Sequence, residues 1–280
     1  MSNSLKSVCF FFLICLVLPA LSLRESETEV PECGLWDFLK YTFKCRSYYI
    51  FGEEKMSGVE LCERAQDCYS SFNCKYVNKI KARVEEKCAL INYAAPDKKW
   101  CLRGFFRKAY MAQFSNEEDS CFKKYTFLDS ELNGVRSAFR HGKSCFMKYA
   151  RDHCTTTAVN YFSPENYRRL TEDISSEEFS SECGSPHSYL QLLTCGALYD
   201  EQKSRAGKLD IIEFRSNRTF VEQSEKICRD TEACVLESCV SHKSEGLLEE
   251  LAENCQAWEN LSRTGKSKFV RKKRNLRTRK

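Results

Sequence analysis

The sequence predicts a mainly α protein: small disulfide-stapled helical domains, one full and one partial copy of a cysteine-rich repeat, and a disordered basic C-terminal tail. Three observations predict it. An even set of cysteines follows an export signal, their spacing recurs, and apolar residues fall at helical rather than alternating intervals.

The export signal comes first. Lys6 gives a short positive region, and an unbroken apolar run follows from Val8 to Leu18. Pro19 ends the run, and Ala20-Leu21-Ser22 places small residues where a signal peptidase reads them, so residues 1–22 are expected to be removed. A run of this length at the extreme N-terminus is too short to span a bilayer comfortably, and no later segment is apolar for long enough. No transmembrane segment is therefore expected after signal cleavage, and the expected location is secreted and extracellular.

Cys9 and Cys15 leave with the signal. The other 16 cysteines are Cys33, Cys45, Cys62, Cys68, Cys74, Cys88, Cys101, Cys121, Cys145, Cys154, Cys183, Cys195, Cys228, Cys234, Cys239 and Cys255. An even count in an exported chain implies a disulfide framework. Zinc is not expected, because paired C-x2-C knuckles and His pairs at ligand spacing are both missing.

The spacing recurs. Cys33-x11-Cys45 matches Cys183-x11-Cys195, and Cys62-x5-Cys68-x5-Cys74-x13-Cys88 matches Cys228-x5-Cys234-x4-Cys239-x15-Cys255. One gap departs, x16 between Cys45 and Cys62 against x32 between Cys195 and Cys228, and a loop insertion carrying Asn217 would explain it. The reading is a duplicated six-cysteine half-domain, whose first copy continues through Cys101, Cys121, Cys145 and Cys154. The expected layout is a ten-cysteine helical domain over residues 33–154, a cysteine-free linker over 155–182, a six-cysteine partial repeat over 183–262 and a tail over 263–280.

Helical spacing supports the class. Leu35, Phe38, Leu39 and Phe43 share one side of a helix; Val77, Ile80, Val84 and Cys88 recur likewise, as do Leu247, Leu248, Leu251 and Cys255. Several cysteines sit inside this pattern, so bridges should tie helix to helix.

Charge is unevenly spread. Of 44 basic residues ten lie in residues 263–280, which hold none of the 39 acidic ones, so residues 1–262 carry a net of −5 against +5 for the whole chain. The tail's charge density forbids a packed core. Its cluster Arg271, Lys272, Lys273 and Arg274 resembles a proprotein-convertase site and suits polyanions, with sulfated glycosaminoglycans as the partner class. Nucleic acid is not an expected partner of an exported chain. Asn217-Arg218-Thr219 and Asn260-Leu261-Ser262 are glycosylation sequons, with Asn217 favoured by its polar surroundings.

In the order of its cysteines, from Cys33 through the Cys62/Cys68/Cys74 cluster to Cys121, and in the stretch Gly142-Lys143-Ser144-Cys145-Phe146-Met147-Lys148 before Cys154, the chain resembles a nematode-expanded family of secreted, cysteine-rich proteins, the domain of unknown function 19 family. The resemblance implies export and a stapled helical fold, and implies no established chemistry. Similar members carry one more cysteine shortly before the Gly-Lys-x-Cys stretch, where Val135 to Phe139 has none, and their closing cysteine could correspond to Cys183. Cys183 then belongs either to the first unit or to the second.

No catalytic motif emerges. His141, His153, His187 and His242 form no metal-ligand pattern, and a His153 beside a bridged Cys154 lacks a nucleophilic sulfur. Nucleophile elbows and glycine-rich phosphate loops are missing, and no cofactor is expected. The favoured function is an extracellular binding or interaction protein, its partner an unknown protein or glycan, in host defence or extracellular signalling. Two others stay open: a secreted enzyme whose site is assembled from scattered carboxylates and histidines, and a polyanion-binding protein acting mainly through its tail. A pocket with converging Asp, Glu or His would favour the enzyme.

Overall fold

Helices begin where the sequence supplies caps and prolines. Thr155 Oγ1 accepts from the Ala158 amide at 3.2 Å, Ser185 Oγ from the Ser188 amide at 3.1 Å, and Asn217 Oδ1 from the Phe220 amide at 3.0 Å. Each satisfies a first-turn N–H that the helix leaves unpaired. Pro96, Pro164 and Pro186 each open a helix, where their missing N–H costs nothing.

The computed structural model describes residues 31–45, 57–115, 121–177, 180–209, 211–240 and 244–264. Among them lie thirteen α-helices and no strand. They are α1 (Leu35–Lys44), α2 (Gly58–Ser70), α3 (Lys75–Ala94), α4 (Pro96–Met111), α5 (Cys121–Lys124), α6 (Leu132–His141), α7 (Lys143–His153), α8 (Thr156–Tyr161), α9 (Pro164–Ile174), α10 (Pro186–Ala206), α11 (Ile212–Ser216), α12 (Arg218–Glu237) and α13 (Glu245–Thr264). No helix among the described residues is long and apolar enough to cross a membrane. The expected signal peptide and the cluster Arg271–Arg274 lie outside the described residues.

The chain divides into two units, residues 1–52 with 65–81, and residues 53–64 with 82–280. The first holds α1, the end of α2 and the start of α3, bridged by Cys33–Cys74 and Cys45–Cys68. Tyr41 packs on Tyr69 and Tyr76, with ring centroids 5.6 and 6.2 Å apart. The helix expected over Leu35 to Phe43 forms; Tyr41 is buried, as is Cys45 just beyond its end, while Leu35 and Phe43 are 66% and 80% exposed. The bridge at Cys45 lies on the same side of the helix as Tyr41, away from Leu35 and Phe43.

The second unit is organised around aromatic rings. Phe105 of α4 lies 4.8 Å from Phe146 and 4.9 Å from Phe127 between centroids, and Phe146 lies 4.9 Å from Phe162. Edge-to-face geometry at these distances adds to simple burial. Gly142 joins α6 to α7, and a Cβ there would sit 2.5 Å from the Phe127 ring and 2.6 Å from the Ala138 carbonyl oxygen. The glycine of the Gly-Lys-Ser-Cys stretch is thus required by close packing, while its cysteine bridges Cys121–Cys145 and Cys101–Cys154 lies nearby in sequence.

The remaining bridges are Cys62–Cys88, Cys183–Cys239, Cys195–Cys234 and Cys228–Cys255. In both six-cysteine sets the first cysteine pairs with the fifth, the second with the fourth and the third with the sixth. Cys183 therefore pairs within the second set. It adopts a left-handed backbone, φ 58°, which is uncommon for a residue other than glycine.

The structure corrects four expectations. Residues 155–182 are not a linker: they form α8 and α9, whose Ala158, Tyr167, Leu170 and Ile174 enter the core. Their apolar residues recur at helical spacing, and Pro164 starts a helix instead of breaking one. Residues 183–262 are not a separate body, because α10 packs on α4 inside the second unit. Arg103 Nε lies 2.7 Å from Asp200, Arg107 Nη2 lies 2.6 Å from Glu201, and Tyr110, Leu198 and Ile227 form a buried cluster. The longer gap after Cys195 is no simple loop: it extends α10 to Ala206 and adds α11. The basic segment does not begin outside the fold at residue 263, since α13 runs to Thr264 and Arg263 pairs with Glu259.

Candidate functional site

Two recesses mark the second unit. The smaller, about 220 Å³, lies where α3, α9 and the start of α10 meet, with Glu86, Asp173 and His187 on its wall. Here Asp173 is 9% exposed. Tyr93 Oη donates to its Oδ2 at 2.8 Å, and Arg169 Nε donates to its Oδ1 at 2.9 Å. Burial pushes the Asp173 carboxyl above its ordinary range, with the Arg169 guanidinium opposing the shift. Burial and the neighbouring carboxylate raise the Tyr93 phenol in turn. His187 Nδ1 lies 3.2 Å from the Asp173 backbone carbonyl oxygen, not from its carboxylate. Asp, Glu and His thus converge, but both carboxylate oxygens of Asp173 are occupied, Oδ2 by Tyr93 of α3 and Oδ1 by Arg169 of its own helix. The arrangement is a buried anchor, in which a charged group is held by paired donors.

The larger recess, about 360 Å³, is a groove between α6, the start of α7 and α9. Arg136 and Arg140 stand one helical turn apart on α6, Lys143 follows, and Arg168 faces them from α9. Glu172 is the one carboxylate on its wall. Arg136 is fixed by two bonds to α9's end: its Nε donates to Ser175 Oγ at 3.0 Å and its Nη2 to the Ser175 carbonyl oxygen at 3.0 Å. Lys143 Nζ sits 5.4 Å from the Tyr167 ring centre, a cation–π distance. Arg168 pairs with Glu172 at 2.5 Å in an exposed i,i+4 contact. Arg140 is exposed and pairs with no carboxylate among the described residues. The groove is a concave surface with excess positive charge, on a body whose sequence is net negative.

The structure places the expected site residues as follows. All 16 cysteines after the signal region are in bridges. Asn217 is exposed and caps α12 through Oδ1, not through Nδ2, the glycan-accepting atom. Asn260 is exposed in the last turns of α13, where Gln256 Nε2 lies 3.5 Å from its Oδ1. The His153 and Tyr149 rings are tilted against each other with centroids 4.6 Å apart, and the neighbouring Cys154 is bridged. His242 lies outside the described residues. Among the described residues no group of three His, Cys, Asp or Glu side chains could hold a metal ion. Sequence reading missed the groove; its signal was Arg136-x3-Arg140 running into the Gly-Lys-x-Cys stretch.

Fold and bridges define, among the described residues, a disulfide-stapled, all-helical, cysteine-rich protein. Residues 25–184 match the family described as Domain of unknown function (DUF19), and the chain belongs to that family. No curated protein and no solved structure matches it. The family match ends one residue after Cys183, so the bridge Cys183–Cys239 links the matched region to the rest of the chain.

Proposed function

We propose that this chain is exported and acts outside the cell as a non-catalytic binding protein, its partner an extracellular protein or glycan. The observation that carries this reading is the closed set of eight bridges. Such a framework forms and persists in oxidising compartments. The apolar run Val8 to Leu18 supplies the route. Shared pairing order supports the further reading that the second six-cysteine set is a partial duplicate of the first. Binding is favoured over catalysis because the recess with converging Asp and His holds its carboxylate in a structural role. The ten cations of residues 263–280 support a second mode, attraction of polyanions to the tail.

The test is expression of the full chain in a secretory eukaryotic host. The expected product appears in the medium with Leu23 as its first residue, and denatured, unreduced protein takes up no alkylating reagent. Retention inside the cell with an intact N-terminus, or labelling of several cysteines, would overturn the reading.

A further inference from the structure

We propose that the groove between α6, α7 and α9 is a binding site for a sulfated polysaccharide, with Arg136, Arg140, Lys143 and Arg168 as its contacts. The inference rests on the reading of the chain as an exported binding protein and gives that reading a ligand class.

The argument starts from the disposition of charge. Four cations and one carboxylate line a cavity of about 360 Å³. Arg136 and Arg140 are about 6 Å apart along α6 by helical rise. Lys143 continues the row past the Gly142 junction, and Arg168 stands on the opposite wall. A ligand lying in the groove would meet cations on both sides along its length, which suits a linear chain of repeated anions better than a single anionic group.

The cations are partly pre-positioned. The Arg136 guanidinium is held by two bonds to Ser175, itself buried, so its Nη1 edge is presented without ordering a free side chain. Lys143 is steadied above the Tyr167 ring, and the Tyr167 hydroxyl is in turn fixed by donating to the Phe139 carbonyl oxygen at 2.7 Å. Pre-ordered donors lose less entropy when a ligand arrives. The planar donor fork of a guanidinium can grip two oxygens of one sulfate at once, which an ammonium point charge does not do as well. Arg168 can exchange its exposed contact with Glu172 for a ligand anion at little cost, since such surface pairs contribute little. Pro164, Tyr167 and Thr171 are the uncharged residues on its wall, against five that carry charge.

This changes the expectation that polyanion attraction belongs to the tail alone. The body carries its own site, and the two contributions are separable by charge substitution in the full chain. Three variants of the secreted protein, and a fourth that combines the groove and tail changes, are compared by calorimetry with a size-defined heparin oligosaccharide. Arg140→Glu with Lys143→Glu alters the groove. Arg271→Gln, Lys272→Gln, Lys273→Gln and Arg274→Gln neutralise the tail cluster. Lys108→Glu with Lys203→Glu makes the same change in net charge on exposed positions of α4 and α10. Arg136 is left intact because it also holds Ser175.

The groove variant should weaken binding at least about tenfold, as loss of two charge-assisted contacts requires. The α4/α10 variant should weaken it by less than about threefold, as expected of screened, distant charge. The tail-neutralised chain should still bind, and adding the groove substitutions should remove what remains. Heparin stripped of sulfate should not bind. Equal losses in the groove and α4/α10 variants would reduce the effect to net charge and overturn the site. No binding by the tail-neutralised chain, or equal binding of desulfated heparin, would overturn it as well. Secretion and thiol state of the same preparations report the export reading independently.

Discussion

Replacing Glu201 with alanine should destabilise the second unit far more than removing its exposed partner Arg107. Glu201 of α10 is 8% exposed and is gripped from two helices. Arg107 of α4 donates through Nε at 2.9 Å and Nη2 at 2.6 Å to Oε2, while Arg205 donates through Nε at 2.9 Å to Oε1. Arg205 is itself 7% exposed, reaches Ser224 Oγ of α12 at 3.2 Å, and lies 4.7 Å from the Phe220 ring centre. Without the carboxylate, Arg107 can turn to water, which costs about 0–1 kcal/mol. Arg205 cannot, and an uncompensated buried charge costs about 3–5 kcal/mol. The expected loss for Glu201→Ala is therefore about 3 kcal/mol, against about 1 kcal/mol or less for Arg107→Ala. Urea denaturation of the disulfide-intact protein, followed by helical circular dichroism, measures both. Should Glu201→Ala not fold, Glu201→Gln, which keeps the shape and one acceptor, gives the same ordering at smaller size. The carboxyl also sets a pH dependence. Burial pushes Glu201 up, but the bonds from Arg107 and Arg205 more than offset this and hold it below the usual carboxylate value. Its stabilisation is thus present above the unfolded value, about 4.3, and is lost as pH falls through the lower folded value. The gap between wild type and Glu201→Ala should close below about pH 4. A gap no larger than that of Arg107→Ala, or one unchanged into strong acid, would refute the reasoning.

Other outcomes follow from single features. Cys228→Ser with Cys255→Ser opens a loop of 27 residues, which the chain-entropy relation values at about 3.5 kcal/mol, readable as a lower urea midpoint. Gly142→Ala should cost about 1–3 kcal/mol by overpacking against Phe127, visible as a lower melting temperature. Asn217→Gln should remove a glycan's mass from the secreted protein and Asn260→Gln should not, because Asn260 lies within the last turns of the long helix α13 whereas Asn217 lies at a helix start after the short α11; equal mass changes would contradict this.

Much of the fold was legible in the sequence for two reasons. The cysteine spacing is a discrete pattern, so Cys62 to Cys88 and Cys228 to Cys255 could be aligned without any structure. Helical periodicity is strong where one face is buried, and Val77, Val84 and Cys88 do enter the interior. Reading by cysteines also misled. Residues 155–182 lack them and so looked like a linker, yet Tyr167, Leu170 and Ile174 recur at helical spacing and lie buried. Leu35 and Phe43 looked like a core face, but the buried side of α1 is that of Tyr41 and the bridged Cys45. The groove was harder to see. Arg136 and Arg140 share a helix and advertise themselves, whereas Arg168 lies 28 residues further along the chain than Arg140 and joins them only because α9 packs on α6.

The pairing order survives a change in spacing that might have been expected to break it. Cysteines two and four are 23 residues apart in the first set and 39 in the second, and one and five are 41 and 56 apart. Loop-closure entropy grows only as the logarithm of length, so stretching 23 residues to 39 alters that bridge by about 0.5 kcal/mol. Such a difference is too small to favour another of the 15 pairings six cysteines allow. The inserted residues also need not be loose, because α10 continues past Cys195 to Ala206 and carries Glu201 and Arg205 into contact with α4 and α12. Cysteines three and six are 26 and 27 apart. That span joins α2 to α3 in one set and α12 to α13 in the other, where helix length and a short connection fix the geometry of the bridge. Spacing is therefore held where a bridge crosses a tight helix pair and free where it closes a longer excursion. The longer span after Cys195 supplies Asp200 and Glu201, through which α10 meets α4.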